Sequence, residues 1–331
     1  MTLRRAVIAL IAAMSLLLAG CSGSSSSSKS SASASGGAAA GSFPQSVDTA
    51  FGKVTIEKAP QRVVALGWGD AETALALGVQ PVGASDWLNF GGEGVGPWAK
   101  GLYTTAPTII GTMEPNYEQI ASLKPDLILD VKSSGDKDRH DRLAQIATTV
   151  GIPEGGTSYL TTMDQEVTMI ATALGQPAKG KELLDAADAS YKKVADAHPQ
   201  WKDKTVTVAT RTSQGWGAYI EGDTRLASLE KLGFKQNPTI ASMTPSSSGF
   251  SVSVSSEQLS AFNADLIVAF PIYIDTTQIT DDAQWKQLST VQAGHDAVID
   301  GDLSSSFAVG SPLAVNYMLD NMVPKLEKAT A

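Results

Sequence analysis

From Arg62 onward, short runs of β-branched and other apolar residues alternate with longer stretches whose apolar residues recur at helical spacing. Positions 62–66, 81–84 and 126–129 predict buried strands, with helices over 71–77 and 117–123 between them. The alternation then returns, with strands over 205–209, 265–269 and 297–300 and helices over 225–232 and 257–262. Each series describes an α/β lobe. Between them the pattern is purely helical. Thr162 with Gln165 three residues on has the spacing of a capping box, and the helix it opens should stop at Gly175. A second helix should start on Pro177, a good first-turn residue, and run to about His198, where Pro199 ends it. Its Leu184, Ala187, Tyr191 and Val194 share one face, which would pack along both lobes. The expected division is an N-terminal lobe over 43–161, a helical connection over 162–200 and a C-terminal lobe over 201–331.

The two series also contain a repeat. The segment Glu118 to Leu129 lies over Glu257 to Val268 without a gap. Each copy has a Glu opening a short helix and an Asp, Asp126 or Asp265, opening the next strand. An acid at a helix start is favoured by the helix dipole in any protein, which is the plain explanation. A match of this extent favours two lobes with one architecture.

The region ahead of the first lobe carries location. Arg4-Arg5, an apolar run over 6–18 and Leu18-Ala19-Gly20-Cys21 have the form of a secretory signal over 1–20. The run is too short to cross a bilayer, which takes about 20 residues. Leu-Ala-Gly-Cys resembles the bacterial lipobox, so Cys21, the chain's one cysteine, is expected to carry lipid and anchor the protein outside the cytoplasm. Otherwise Cys21 is a small residue at a cleavage site. Ser, Ala and Gly dominate the stretch over 21–42, which reads as a flexible tether. A formal net charge of -9 argues against a nucleic-acid partner and requires that any anionic ligand find a local cationic pocket.

Gly52 to Ile56, Pro60 to Leu66, Glu72 to Gly78 and Pro81-Val82-Gly83 resemble the N-terminal lobe of the siderophore- and cobalamin-binding receptors of ABC importers. The resemblance continues through Leu123 to Ile128 and Val254 to Leu259. It implies two Rossmann-like α/β lobes joined by one long rigid helix, a ligand cleft between them and little closure. It also implies a monomer without a cofactor that hands an intact ferric siderophore to a permease dimer. In such receptors a surface Glu on each lobe docks on permease arginines, and the matching residues are Glu118 and Glu257. Two carboxylates spaced across the lobes would register a symmetric partner by charge.

Cleft residues should lie on loops at the carboxyl ends of strands. Lobe one offers Trp68, Asp70 and Trp87, then Trp98, Tyr103, Lys132 and Arg139. Lobe two offers Arg211, Trp216 and Tyr219 beyond Ala209, then Tyr273 and Phe307. Aromatic faces can pack on a bulky chelate, and Arg or Lys can neutralise the anionic oxygens around iron, with Arg211 the foremost cation. Each has the plainer reading of a core aromatic or a solvated cation. Many tryptophans and few cations favour a hydroxamate or mixed-ligand chelate over a tricatecholate.

Competing chemistries find less support. Gly175 to Lys181 has phosphate-loop spacing, but Glu182 stands where Ser or Thr must meet magnesium, and a helix precedes it. No Gly-x-Ser-x-Gly elbow occurs. Three histidines, His140, His198 and His295, are too few and too scattered for a zinc or manganese receptor, so no direct metal site is expected. Haem or cobalamin on the same scaffold is the alternative, with Tyr273 or His140 as an axial ligand to haem iron. A secreted enzyme or a structural lipoprotein is a third reading.

Overall fold

The computed structural model describes residues 41–247 and 249–331; the signal segment, Cys21 and nearly all of the tether lie outside the described residues. A hairpin of β1 (Gln45–Thr49) and β2 (Gly52–Ile56) opens the chain, which then enters the first sheet. That sheet contains β3 (Val63–Ala65), β4 (Gly83–Ser85), β5 (Thr108–Ile110), β6 (Leu127–Leu129) and β7 (Thr148–Val150) in the order β5-β4-β3-β6-β7, all parallel. The second contains β8 (Thr205–Thr212), β9 (Gly215–Tyr219), β10 (Lys235–Gln236), β11 (Ser251–Val254), β12 (Leu266–Pro271) and β13 (Asp296–Val298). Its order is β11-β9-β8-β12-β13, with β10 also on β8.

The central strands are apolar on both faces because helices cover both. In β3 and β6, Val64 and Ile128 pack to one side, while Val63, Ala65, Leu127 and Leu129 pack to the other. In β8 and β12, Val206, Val208, Leu266, Val268 and Phe270 serve one face and Ala209, Ile267 and Ala269 the other. The two-residue period of a strand thus feeds two core layers per lobe.

The repeated acids have matching positions. Both carboxylate oxygens of Asp126 accept from the backbone N–H of Gln61, at 3.1 and 2.8 Å, and one accepts from Arg62 at 2.9 Å. Asp265 accepts from the N–H and hydroxyl of Thr205 at 2.7 and 2.8 Å. Each ties the start of one strand to the start of its parallel neighbour, β6 to β3 and β12 to β8. The preceding Glu118 opens α2 (Tyr117–Ser122), whereas Glu257 sits in a tighter 3-10 turn, Ser256–Phe262.

α4 (Met163–Ala173) and α5 (Pro177–Ala197) make the connection, following α1 (Asp70–Ala76), α2 and α3 (Lys137–Ala144) of the first lobe. The capping box between Thr162 and Gln165 is formed in both directions. Gly175 takes a left-handed φ of 69°, which stops α4, and Pro177 opens α5. Gly180 lets the two helices meet, since a Cβ there would lie 2.5 Å from that of Ala171. The first half of α5 belongs to lobe one, with Leu183 on its core and Lys179 Nζ donating to the Leu77 carbonyl at 2.8 Å. The second half belongs to lobe two, where Ala187 and Tyr191 are buried and Val194 packs against the core.

β8 extends past the expected end at Ala209 because β9 folds back on it, pairing Arg211 with Trp216 and Thr212 with Gly215. Arg211, Trp216 and Tyr219 therefore lie in strands rather than on a loop.

Candidate functional site

A cavity of about 610 Å³ opens between the lobes at the carboxyl ends of both sheets. Lobe one supplies Trp68 after β3, Trp87 after β4 and Lys132 after β6, with Met113 and Tyr159 nearer the mouth. Lobe two supplies Tyr219 at the end of β9, Phe250 before β11, and Phe270 to Tyr273 at the end of β12. Asp223, Thr224 and Arg225 come from the start of α6 (Thr224–Lys231).

The indole N–H groups are spent on backbone, Trp68 on the Ala308 carbonyl at 3.0 Å and Trp87 on that of Leu66 at 2.9 Å. Their faces remain for a ligand. The Trp68 and Trp87 rings are 5.5 Å apart, and Tyr159 meets Trp87 edge-on at 5.6 Å. On the opposite wall Tyr219 stacks with Phe270 at 5.8 Å. Tyr159 and Tyr273 hold left-handed φ values of 57° and 55°, a strained conformation for such side chains, and Asn89, which tolerates it, holds 56°. Tyr273 is 81% exposed, and its hydroxyl lies 3.5 Å from Asn89 Nδ2 across the mouth.

Among the described residues, Arg225 is one of two cations that line this cleft, with Lys132. Asp223 caps α6 by accepting from the Arg225 backbone N–H at 2.9 Å, and its other oxygen accepts from Nη1 at 2.9 Å. The guanidinium lies 4.1 Å from the Tyr219 ring centroid and 5.6 Å from that of Phe270. Arg225 is 8% exposed, and its Nε has no hydrogen-bond partner among the described residues.

The lobes are joined at the cleft floor. Lys132 Nζ donates to Thr224 Oγ1 at 2.6 Å, Ser311 donates to Glu72, and Trp68 reaches Ala308. Buried carboxylates lie beneath. Asp70 accepts from the backbone N–H groups of Gly67, Val131 and Lys132, yet burial pushes its carboxyl up to about 7. Burial likewise raises Glu166, against the pull of the Lys132 charge, and lowers Lys132, against the pull of Glu166. Burial raises Glu72 too, opposed by its bonds from Ser311, Trp98 and Gly96.

Of the residues expected in the cleft, Trp68, Trp87, Lys132, Tyr219 and Tyr273 line it. Asp70 sits under the floor. Trp98 donates to Glu72 at 2.7 Å and packs between Phe90 and Tyr317, outside the lining. Tyr103 is buried with its hydroxyl unbonded. Arg139 is held by Asp130 at 2.7 and 3.1 Å and by the Thr112 carbonyl. Arg211 turns to the Thr212 carbonyl and packs over Trp216, which itself stacks on Trp285 in the lobe-two core. Phe307 is core behind Phe270. His140 stacks on Phe51 at 3.9 Å, away from the cavity lining. Glu118 and Glu257 are exposed. No group of three or more His, Cys, Asp or Glu that could hold a metal ion occurs among the described residues.

A cleft at facing strand ends, walled by aromatics and floored by a fixed polar network, suits binding better than chemistry. Residues 63–303 match the sequence pattern named Periplasmic binding protein. The chain belongs to the periplasmic binding protein family. This periplasmic binding protein is 30% identical over 280 residues to the "Probable siderophore-binding lipoprotein YfiY" of Bacillus subtilis, covering 80% of this chain and 81% of that one. It is 28% identical to the Fe(3+)-citrate-binding protein YfmC of the same organism, covering 90% and 91%. Its fold matches that of Streptococcus pneumoniae PiaA in complex with ferrichrome with a TM-score of 0.74 at 26% identity, over 86% of this chain and 98% of that one.

Proposed function

We propose that this protein captures a ferric siderophore between its lobes and delivers it, chemically unchanged, to the permease of an ABC importer. The observation that carries the reading is the cleft itself, an aromatic-walled cavity of about 610 Å³ with the Arg225 guanidinium in its lining. A ferric chelate presents a bulky, partly apolar shell with anionic oxygens around the metal. Trp68, Trp87, Tyr219 and Phe270 suit the shell, and Arg225 suits an oxygen. The names of YfiY and YfmC and the ferrichrome bound to PiaA support the same ligand class.

The lobes, taken as 43–161 and 201–331 with 162–200 between them, share α5 and the links at the floor, so capture needs little lobe motion. Glu118 and Glu257, exposed at corresponding turns, are the docking carboxylates for the permease dimer. Lipid on Cys21 would hold the monomer at the outer face of the cell membrane. Haem or cobalamin is the second reading, with the phenol of Tyr273 at the mouth supporting haem.

Intrinsic tryptophan fluorescence of the soluble form starting after Cys21 tests this, titrated with ferric hydroxamate, catecholate and citrate chelates, cobalamin and haem. Saturable quenching by a ferric chelate, absent with its iron-free form, is the expected result. Binding only to cobalamin or haem would transfer the function to the second reading, and binding to none would remove the ligand assignment.

A further inference from the structure

The charges that face the cleft are few. Among its described lining residues, Lys132, Asp223 and Arg225 carry formal charge. The Lys132 ammonium is occupied by Thr224 Oγ1 of the opposite lobe at 2.6 Å, and burial lowers it against the pull of Glu166 and Asp223, so it is held within the floor. What remains for a ligand is the Asp223–Arg225 pair. Asp223 is a fixed counterion, because one of its oxygens holds the Arg225 backbone N–H and the other holds Nη1. Both residues are more than nine-tenths buried. Arg225 Nε is buried in the cleft wall without a partner, so an unanswered hydrogen-bond donor lies in a setting of almost no net charge.

We infer that Asp223 is a specificity-determining residue, cancelling the charge of Arg225 so that the cleft selects ferric chelates of near-zero net charge, of the trihydroxamate type, over trianionic tricatecholates. This rests on the ferric-siderophore reading of the cleft and names the class within it. An anionic chelate moved between apolar aromatic walls loses its hydration and is repaid only by uncompensated cations. A neutral chelate loses far less and still receives the guanidinium hydrogen bond. With the counterion in place, burial of surplus negative charge is opposed by the carboxylate of Asp223 as well.

The test is Asp223→Asn, which keeps a good capping side chain on α6 while removing the negative charge. Dissociation constants of the wild type and D223N are measured for a neutral ferric trihydroxamate and a ferric tricatecholate at two salt concentrations. The wild type should prefer the trihydroxamate. In D223N the ratio of the two constants should move toward the tricatecholate by on the order of tenfold, more at low salt than at high. A ratio that stays within about twofold of wild type, or a wild type that prefers the tricatecholate, overturns the inference and leaves the ferric-siderophore reading intact. A wild type that binds neither these nor ferric citrate removes that reading and this one with it. Thermal unfolding checks that D223N is folded; if it is not, Asp223→Ser, another capping residue without charge, takes its place, and the wild-type preference is decisive by itself.

Discussion

The two lobes share a centre and differ at their rims. In both, a central strand pairs in parallel with a neighbour whose first residues are tethered by an Asp, Asp126 in one lobe and Asp265 in the other. Beyond that centre, lobe one continues with the parallel strands β4 and β5, whereas lobe two folds back through antiparallel β9 and β11. The cleft draws on both centre and rim, on the segments after the central strands β3, β6 and β12 and on the ends of β4 and β9. Lobe one gives it indole faces and a lysine tied down by the opposite lobe, and lobe two gives it the guanidinium, the counterion and a second aromatic wall. The repeated strands build scaffold, and the side chains that line the cleft differ between the lobes at the ends of those same strands.

The exposed acids give the sharpest break. If Glu118 and Glu257 act as one symmetric docking pair, the double variant Glu118→Lys, Glu257→Lys should lower uptake in cells at least about tenfold while chelate affinity stays within about twofold. Uptake that survives the double variant would leave the two acids as helix-start residues. Next comes the recognition asymmetry. Arg225→Ala removes the lobe-two donor and strands Asp223 in a buried site, which should cost about 3–5 kcal/mol between binding and stability. Lys132→Met, on the lobe-one side, should cost less in affinity, because its ammonium already belongs to Thr224. Titration and thermal unfolding of both variants give the ordering.

Asp70 sharpens the contrast through pH. Burial raises its folded-state carboxyl to about 7, above its ordinary value of 3.8, so the folded chain keeps a proton that the unfolded chain has released. That contribution is complete below the ordinary value and is lost as pH rises through the folded one. Thermal unfolding of the wild type should therefore weaken between about pH 4 and pH 7 by up to about 4 kcal/mol more than that of Asp70→Asn. A parallel pair of curves would mean that its three backbone N–H donors hold Asp70 ionised. The smallest effect compares the tethers: Asp126→Ala and Asp265→Ala should each lose about 1–3 kcal/mol in denaturant unfolding. Equal losses support equivalent centres; a silent Asp265 would break the equivalence.

The scaffold was readable because its signals are local. Thr162 and Gln165, Gly175, Pro177 and Pro199 each mark a helix boundary through backbone geometry that neighbouring residues fix. The matching of Asp126 with Asp265 was visible as spacing alone. The site was less legible, because facing a cleft is decided by tertiary pairing. Arg211 looked like a loop cation until β9 folded back on β8, and Trp216 went to the core by the same turn. Arg225 was assigned to a helix and not to the site. The signal available was Asp223 two residues before it, a cap and counterion placed shortly after the aromatic end of a strand. Phe250 and Tyr159 lie on stretches with no strand-end pattern to mark them, whereas Met113 follows the short β-branched strand Thr108–Ile110, which is absent from the strands expected from sequence.

The central claim is that lobe one supplies the indole faces and lobe two the donor to a single ferric chelate. A crystal structure of the complex with the tightest-binding chelate tests it directly. The account predicts the metal centre between the lobes, the ligand shell against Trp68, Trp87 and Phe270, and an iron-coordinating oxygen within hydrogen-bond reach of Arg225. A chelate bound outside the cleft, or seated within it with Arg225 still turned wholly to Asp223, would contradict it.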